Sequence, residues 1–262
     1  MNQTRMRIIA LAAVGGLAPA LLLTACNSDK GGLRTPPPAA SAAAGATTGG
    51  AATGTAGAGK APAGGDAAKV AAGITLGPAE WGKGYTEDDP YEDPSLDYYV
   101  TDANCKGVLG KAPASLAGAM TRLVKVPAAG KADLVDHLGS TSALVFGDVA
   151  DAQKDFTTSR GVVKRCPTWT SDDGSETDTD EHEVPAPALP LADEAYAQEG
   201  KVRYADDKTG AKLPYYQLTV RKGGVTLNAY LDGTEDASLA DLRAQTTAAM
   251  TAMLTKLKAQ GH

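Results

Sequence analysis

Aromatic residues are scarce in this 262-residue chain: they make up 5% of it, with two phenylalanines and two tryptophans. There are also only three histidines and three cysteines. No histidine stands in H-E-x-x-H and no serine in G-x-S-x-G, so the zinc-protease and α/β-hydrolase machineries lack their central residues. Asp136, His137 and Ser140 are close in sequence, but a triad is defined by spatial geometry and this proximity shows nothing. His137 is read as the end of a short helix before Gly139. Neither Cys105 nor Cys166 has a second Cys or His at ligand spacing, and the EF-hand spacing is absent. No catalytic residue, cofactor or metal site is therefore expected, and the chain reads as a non-enzyme. Basic charge is short as well. Beyond residue 72 there are 29 acidic and 19 basic residues, a balance of −10. A surface this acidic repels phosphates, which excludes nucleic acid as a partner.

What is present begins with an address. Arg5 and Arg7 precede an apolar run from Ile8 to Leu23, and Thr24-Ala25 supplies small residues before Cys26. Ile8 to Ala25 is 18 residues without a charge, slightly short of the roughly 20 a spanning helix needs, and Gly15, Gly16 and Pro19 weaken it. Leu23-Thr24-Ala25-Cys26 resembles the lipobox of bacterial lipoproteins. That resemblance implies cleavage between Ala25 and Cys26, a diacylglyceryl group on the Cys26 sulfur, and attachment to the outer face of the cell membrane. Two acyl chains suit stable anchoring, since one binds only marginally.

Residues 1–25 are thus read as a signal peptide and 26–72 as the lipidated cysteine with a tether rich in Ala, Gly, Thr and Pro. With Leu33 and Val70 as its only large aliphatics, the tether cannot bury enough apolar surface to offset ordering, so a disordered spacer is expected. Gly54 to Ala61 nearly matches a nucleotide-binding P-loop, but Ala61 stands where a magnesium-binding hydroxyl is required and Pro62 follows at once.

Residues 73–262 form the expected single extracytoplasmic domain. In an exported domain the even pair Cys105 and Cys166 reads as one disulfide, with a metal site or a reactive thiol as alternatives. Val149, Ala152, Phe156, Arg160 and Val163 fall at helical spacing, which predicts a helix over 149–165 with Arg160 snorkelling. A strand over 141–146 precedes it. Tyr216, Leu218 and Val220, then Val225, Leu227 and Ala229, alternate with polar residues around Gly223-Gly224 and predict a hairpin over 215–232. Lys222-Gly223 at its tip would set Val220 opposite Val225. Ser238 and Asp241 suggest a capping box for a last helix whose Leu239, Leu242, Thr246, Met250, Met253 and Leu257 share a face. Residues 194–204 read as a further strand, and 108–123 as one or two helices. The fold class is α+β, an antiparallel sheet with a C-terminal β-hairpin and helices mainly on one face.

Two acidic stretches remain. The run from Glu87 to Tyr99 mixes carboxylates with three tyrosines and reads as an extended arm, or as an exposed recognition surface. The run from Ser171 to Glu183 holds seven carboxylates and His182 and reads as a solvated loop. The order Cys105-Lys-Gly-Val-Leu, the helix entering Cys166-Pro167, Ala192-Asp-Glu-Ala-Tyr196, and the hairpin with its closing helix is similar to extracellular sensor domains of actinobacterial serine/threonine kinases and their free-standing lipoprotein relatives. The resemblance implies an antiparallel sheet with flanking helices and a cleft that takes a ligand. The expected function is therefore a membrane-anchored module that binds or senses a small molecule or envelope component. The alternative is a lipoprotein that docks a membrane protein through its acidic, tyrosine-bearing face. Replacing Cys26 with alanine should release the protein into the medium or leave it uncut. Membrane fractionation that finds Cys26→Ala processed and still membrane-bound would refute lipidation.

Overall fold

Alternating apolar and polar residues run through the longest strands, and they build one eight-stranded antiparallel sheet. A computed structural model describes residues 64–128 and 135–262, all within one compact unit. The signal segment, the Ala25–Cys26 cleavage point and tether residues 26–63 lie outside the described residues. The elements begin with α1 (Gly64–Ile74), α2 (Pro78–Trp81), β1 (Thr86–Asp93), β2 (Tyr98–Thr101), β3 (Gly107–Gly110), β4 (Leu116–Pro127) and β5 (Val135–Phe146). After α3 (Val149–Arg165) come β6 (Trp169–Thr170), β7 (Glu176–Val184), β8 (Glu194–Tyr204), β9 (Leu213–Lys222), β10 (Val225–Asp232) and α4 (Leu239–Ala259). The sheet order is β1-β4-β5-β10-β9-β8-β7-β6, and β2 and β3 form a separate two-stranded ribbon.

The two faces of the large sheet differ in chemistry. On one, Val225, Leu227, Ala229 and Leu231 of β10 and Tyr216, Leu218 and Val220 of β9 meet Met250, Met253, Leu254 and Leu257 of α4. Helices α1 and α2 extend this apolar layer. On the other face, β10 presents Thr226, Asn228, Tyr230 and Asp232, all buried. Helix α3 covers part of that polar face. The α+β class is as expected, with three of the four helices on the apolar side.

Several elements depart from the sequence reading. Helix α1 falls within residues assigned to the tether, and its Ala67, Ala71 and Ile74 are fully buried. The packed structure therefore reaches back at least to residue 64. The small side chains serve close approach: a Cβ at Gly118 of β4 would lie 2.5 Å from the Ala67 carbonyl oxygen. Residues 107–110 and 116–127 are strands, not helices. The spacing by four of Val108, Ala112, Leu116 and Met120 misleads, because Met120 and Val124 face α1 and α4 while Ala119 and Leu123 face the other way.

The hairpin forms, but Val225 pairs with Lys222 and Leu227 with Val220. The turn is Gly223-Gly224, with Gly223 at φ 56°, a conformation that glycine adopts freely. The two-residue shift leaves every side chain on its expected face. Ser238 precedes α4 as expected, yet its side chain makes no capping hydrogen bond. His137 lies in β5, not at a helix end, with Nδ1 3.0 Å from the Asp232 carbonyl oxygen.

Gly118→Ala should cost about 1–3 kcal/mol by forcing α1 off β4. Gly65→Ala, whose Cβ would meet nothing within 4 Å, should leave urea unfolding nearly unchanged.

Candidate functional site

Helix α3 is fixed over the polar sheet face at both ends. At its start Asp148 Oδ1 accepts the Ala150 amide at 2.8 Å. In its middle the Phe156 ring meets Tyr196 of β8 edge-on at 5.2 Å. Arg160, read as snorkelling, instead donates to Glu183 of β7 through Nε at 3.0 Å and Nη2 at 2.5 Å. At its end, Cys166 is bonded to Cys105 in the β2–β3 turn, with the Cα atoms 5.5 Å apart. The cross-link closes a loop with a sequence separation of 61, worth about 4 kcal/mol in the chain-entropy account.

The chain leaving the disulfide builds the next wall. The Pro167 carbonyl accepts the Glu181 amide at 3.0 Å, and Thr170 donates its amide to the Cys105 carbonyl at 3.1 Å. Ser171 and Asp173 then close a turn: Asp173 Oδ1 accepts the Ser171 hydroxyl at 2.8 Å and the Ser175 amide at 2.9 Å. The acidic run 171–183 is thus a turn plus strand β7, not a solvated loop. A register shift between Thr179 and His182 adds one residue to β7, with Asp180 at φ 58°. That bulge turns Glu181 to the same side as Asp178.

Between the second half of α3 and the sheet lies a cavity of about 70 Å³, on a scale where one water needs about 10–15 Å³. Ser159 and Val162 of α3 and Trp169 of β6 form its upper wall, Glu176, Asp178 and Glu181 one side, and Ser140, Gln198 and Tyr204 part of its floor. Among the described residues no lysine, arginine or histidine lines it. Asp178 is 8% exposed and Glu181 7%. Burial, then the neighbouring Glu176, Glu181 and Asp232, hold the Asp178 carboxyl well above the usual carboxylate range. Burial pushes Glu181 up to about 7.

Most of the buried polar face is paired. Tyr98 donates to Asp155 Oδ1 at 2.6 Å, and Gln198 Nε2 to Glu181 Oε1 at 3.2 Å. Asp232 accepts the Leu138 amide at 2.8 Å and the Tyr204 hydroxyl at 2.5 Å. Other buried atoms find no hydrogen-bond partner among the described residues: Ser142 Oγ and Asn228 Oδ1 on the same face, and Ser140 Oγ, Trp169 Nε1 and Asp178 Oδ1, which belong to residues lining the cavity. Leaving such a group unsatisfied costs about 1–3 kcal/mol. Here three of them, from β5, β6 and β7, belong to residues that line one space. Their chemistry suits a small polar molecule. No group of three or more His, Cys, Asp or Glu side chains among the described residues has metal-site geometry.

Of the residues singled out from sequence, Cys105 and Cys166 hold the roof of this cavity, whereas Ala25 and Cys26 lie outside the described residues. Two of the three tyrosines of the first acidic stretch, and the rings before it, are used internally, while Tyr99 stays partly exposed. Tyr98 is buried on Asp155, Tyr85 donates to Gln245 Oε1 at 2.9 Å, Tyr91 lies 5.8 Å from the Arg122 guanidinium, and Trp81 packs on Tyr85. Ser140, Trp169, Asp178 and Glu181 were not legible as a site, because they come from three separate strands, β5, β6 and β7. The available hint was an alternation, Glu176-x-Asp178, beside a tryptophan.

No protein-family model matches the chain, and a search of curated proteins finds no match. Among solved structures, the backbone is similar to the extracellular domain of PknH from Mycobacterium tuberculosis. That likeness has a TM-score of 0.47 and 11% identity, and covers 72% of this chain and 96% of that one. An uncharacterized protein from Mycobacterium smegmatis, the Rv0999 ortholog, gives a TM-score of 0.28 at 9% identity over 55% of this chain and 68% of that one.

A carboxyl whose folded-state pKa is raised holds a proton that the unfolded chain has already released. Its contribution to stability is full below the unfolded value and is lost as pH rises through the folded one. For Glu181 that window runs from the ordinary glutamate value of 4.5 to about 7. In phosphate buffer, wild type should therefore lose on the order of 2 kcal/mol more than Glu181→Gln between pH 5 and pH 8. Urea unfolding of both proteins measures the difference.

Proposed function

We propose that this chain is a non-enzymatic binding or sensing module. It is held on the outer face of the cell membrane by lipid on Cys26 and receives a small molecule or envelope component in the cavity under α3. The observation that carries the reading is the cavity lined by Ser140, Trp169 and Asp178, whose Oγ, Nε1 and Oδ1 atoms are buried and find no hydrogen-bond partner among the described residues. A ligand site of this kind combines apolar walls with a few placed polar groups.

The binding reading is favoured over catalysis by the carboxyls themselves. Acid–base machinery needs two groups whose environments drive their pKa values apart, whereas burial drives Asp178 and Glu181 in the same direction. Among the described residues no histidine or free cysteine lines the cavity. The external location is supported by the signal pattern and by the Cys105–Cys166 bond, which persists in oxidising compartments. No helix among the described residues is long and apolar enough to cross a membrane; the anchoring proposed here rests on the Leu23-Thr24-Ala25-Cys26 pattern. The docking alternative loses part of its support, because Trp81, Tyr85, Tyr91 and Tyr98 are engaged within the domain.

The test is purification of the full chain from its native membrane, with mass spectrometry of what remains bound. A small molecule should accompany wild type and be absent from Ser140→Leu, which fills the cavity from its floor. A wild-type protein free of small molecules, or one whose bound molecule survives Ser140→Leu, would refute the reading.

A further inference from the structure

The upper wall of the cavity depends on a side chain that glycine does not have. Gly107 of β3 is buried and stands opposite Thr101 of β2, so both face the same side of the ribbon. Thr101 lines the cavity itself. At Gly107 the place of a side chain is taken by the Trp169 indole. A Cβ there would lie 2.6 Å from Trp169 Cζ2, 3.3 Å from Cε2 and 3.5 Å from Cη2. The first of these falls about 1 Å short of a carbon–carbon contact at its optimum. The ring therefore rests in a notch of the ribbon while it also lines the cavity.

The backbone on both sides of the ring is held. Cys105–Cys166 bonds the ribbon to the end of α3, and Arg165 Nη2 donates to the Thr101 and Asp102 carbonyls at 3.2 and 3.3 Å. The Thr170 amide donates to the Cys105 carbonyl at 3.1 Å, and Trp169 pairs with Asp178 of β7. With the ribbon and β6 fixed in this way, a side chain at 107 must displace the indole, and the open space beside it is the cavity. That space, about 70 Å³, holds about five to seven water-sized atoms. A wall advanced by about 1 Å removes a large share of it.

We infer, on the reading of the cavity as a ligand site, that Gly107 is a positioning residue that sets the size of molecule accepted there. It acts through Trp169, by letting the indole stand back from the floor. A glycine that served only the fold would behave like Gly110 in the same strand. A Cβ at Gly110 would lie 2.6 Å from Val100 Cγ1, as close as at Gly107, but its three nearest atoms belong to Val100 and Tyr98.

Linear diols probe the limit, because they carry the same two hydroxyls on chains of increasing length: 1,2-ethanediol, 1,4-butanediol and 1,6-hexanediol. Magnetic-resonance titration of the nitrogen-15-labelled full chain follows the backbone amides of Ser140 and Gln198, two residues that line the cavity. Wild type should bind ethanediol and butanediol saturably and reject hexanediol. Gly107→Ala should keep ethanediol and lose affinity for butanediol by roughly tenfold or more, whereas Gly110→Ala should bind both as wild type does. Trp169→Phe removes the Cζ2 edge without adding a side chain and should admit hexanediol. Gly107→Ala/Trp169→Phe should return the limit to butanediol, so these two variants decide the matter even where Gly107→Ala alone does not fold. The role of Gly107 is overturned if Gly107→Ala binds butanediol as wild type does, if Gly110→Ala loses it equally, or if both phenylalanine variants share one limit. Each of those results leaves the cavity standing as a ligand site. If no diol moves the Ser140 and Gln198 signals of wild type, the size limit falls as well, and the molecule recovered from native protein alone decides the site.

Discussion

The central physical constraint on this fold is the burial of a polar sheet face. Thr219, Thr226, Asn228, Ser140, Ser142 and Gln198 are all inaccessible or nearly so, and each must find a partner or cost free energy. Much of the local architecture answers that demand. Asn228 Nδ2 donates to Thr219 Oγ1 at 3.0 Å, Asp232 collects a backbone amide and a tyrosine hydroxyl, and Asp155 on α3 receives Tyr98. Asp155 is itself pushed up to about 6, mainly by burial. A helix placed over this face cannot be wholly apolar. That explains why α3 turns Asp155 and Ser159 inward along with Phe156 and Val163.

Such a face contributes little net stability, so the scaffold must draw it from elsewhere. The opposite side supplies it. Met250, Met253 and Leu257 are fully buried against the sheet, and each such side chain contributes about 1.5–3 kcal/mol. The Cys105–Cys166 bond adds a constraint that needs no apolar surface at all, and it acts where α3 would otherwise be held mainly by polar contacts. The two faces are therefore unequal in purpose. One holds the domain together, and the other can retain polar atoms that a purely structural layer would eliminate.

This division explains what the sequence made legible. Helix α3 was readable to its bounds because the spacing of Val149, Ala152, Phe156 and Val163, and the closing Cys166, act locally. Strands β9 and β10 were readable because Leu218, Val220, Leu227 and Ala229 alternate strictly. Alternation is ambiguous about its polar half, however. Gln217, Thr219, Thr226 and Asn228 look like a solvated face until α3 is known to cover them. The same ambiguity hid the site in β7. Seven carboxylates in 13 residues suggest solvent, and only a bulge at Asp180, pinned by the Pro167 carbonyl, brings Glu181 round beside Asp178. Small residues misled in the other direction: Ala67 and Ala71 look like linker because their packing depends on Gly118, about 50 positions away.

The acids within the cavity share the sign of the domain that surrounds them. A net charge of −10 beyond residue 72 creates a field that repels anions and gathers cations, and low-dielectric walls focus such fields into clefts. In an ordinary core, Asp178 and Glu181 would be the first side chains replaced, since hydrophobic substitutes of similar volume avoid the desolvation cost. They are instead backed by Glu176 and Asp232, which raises that cost further.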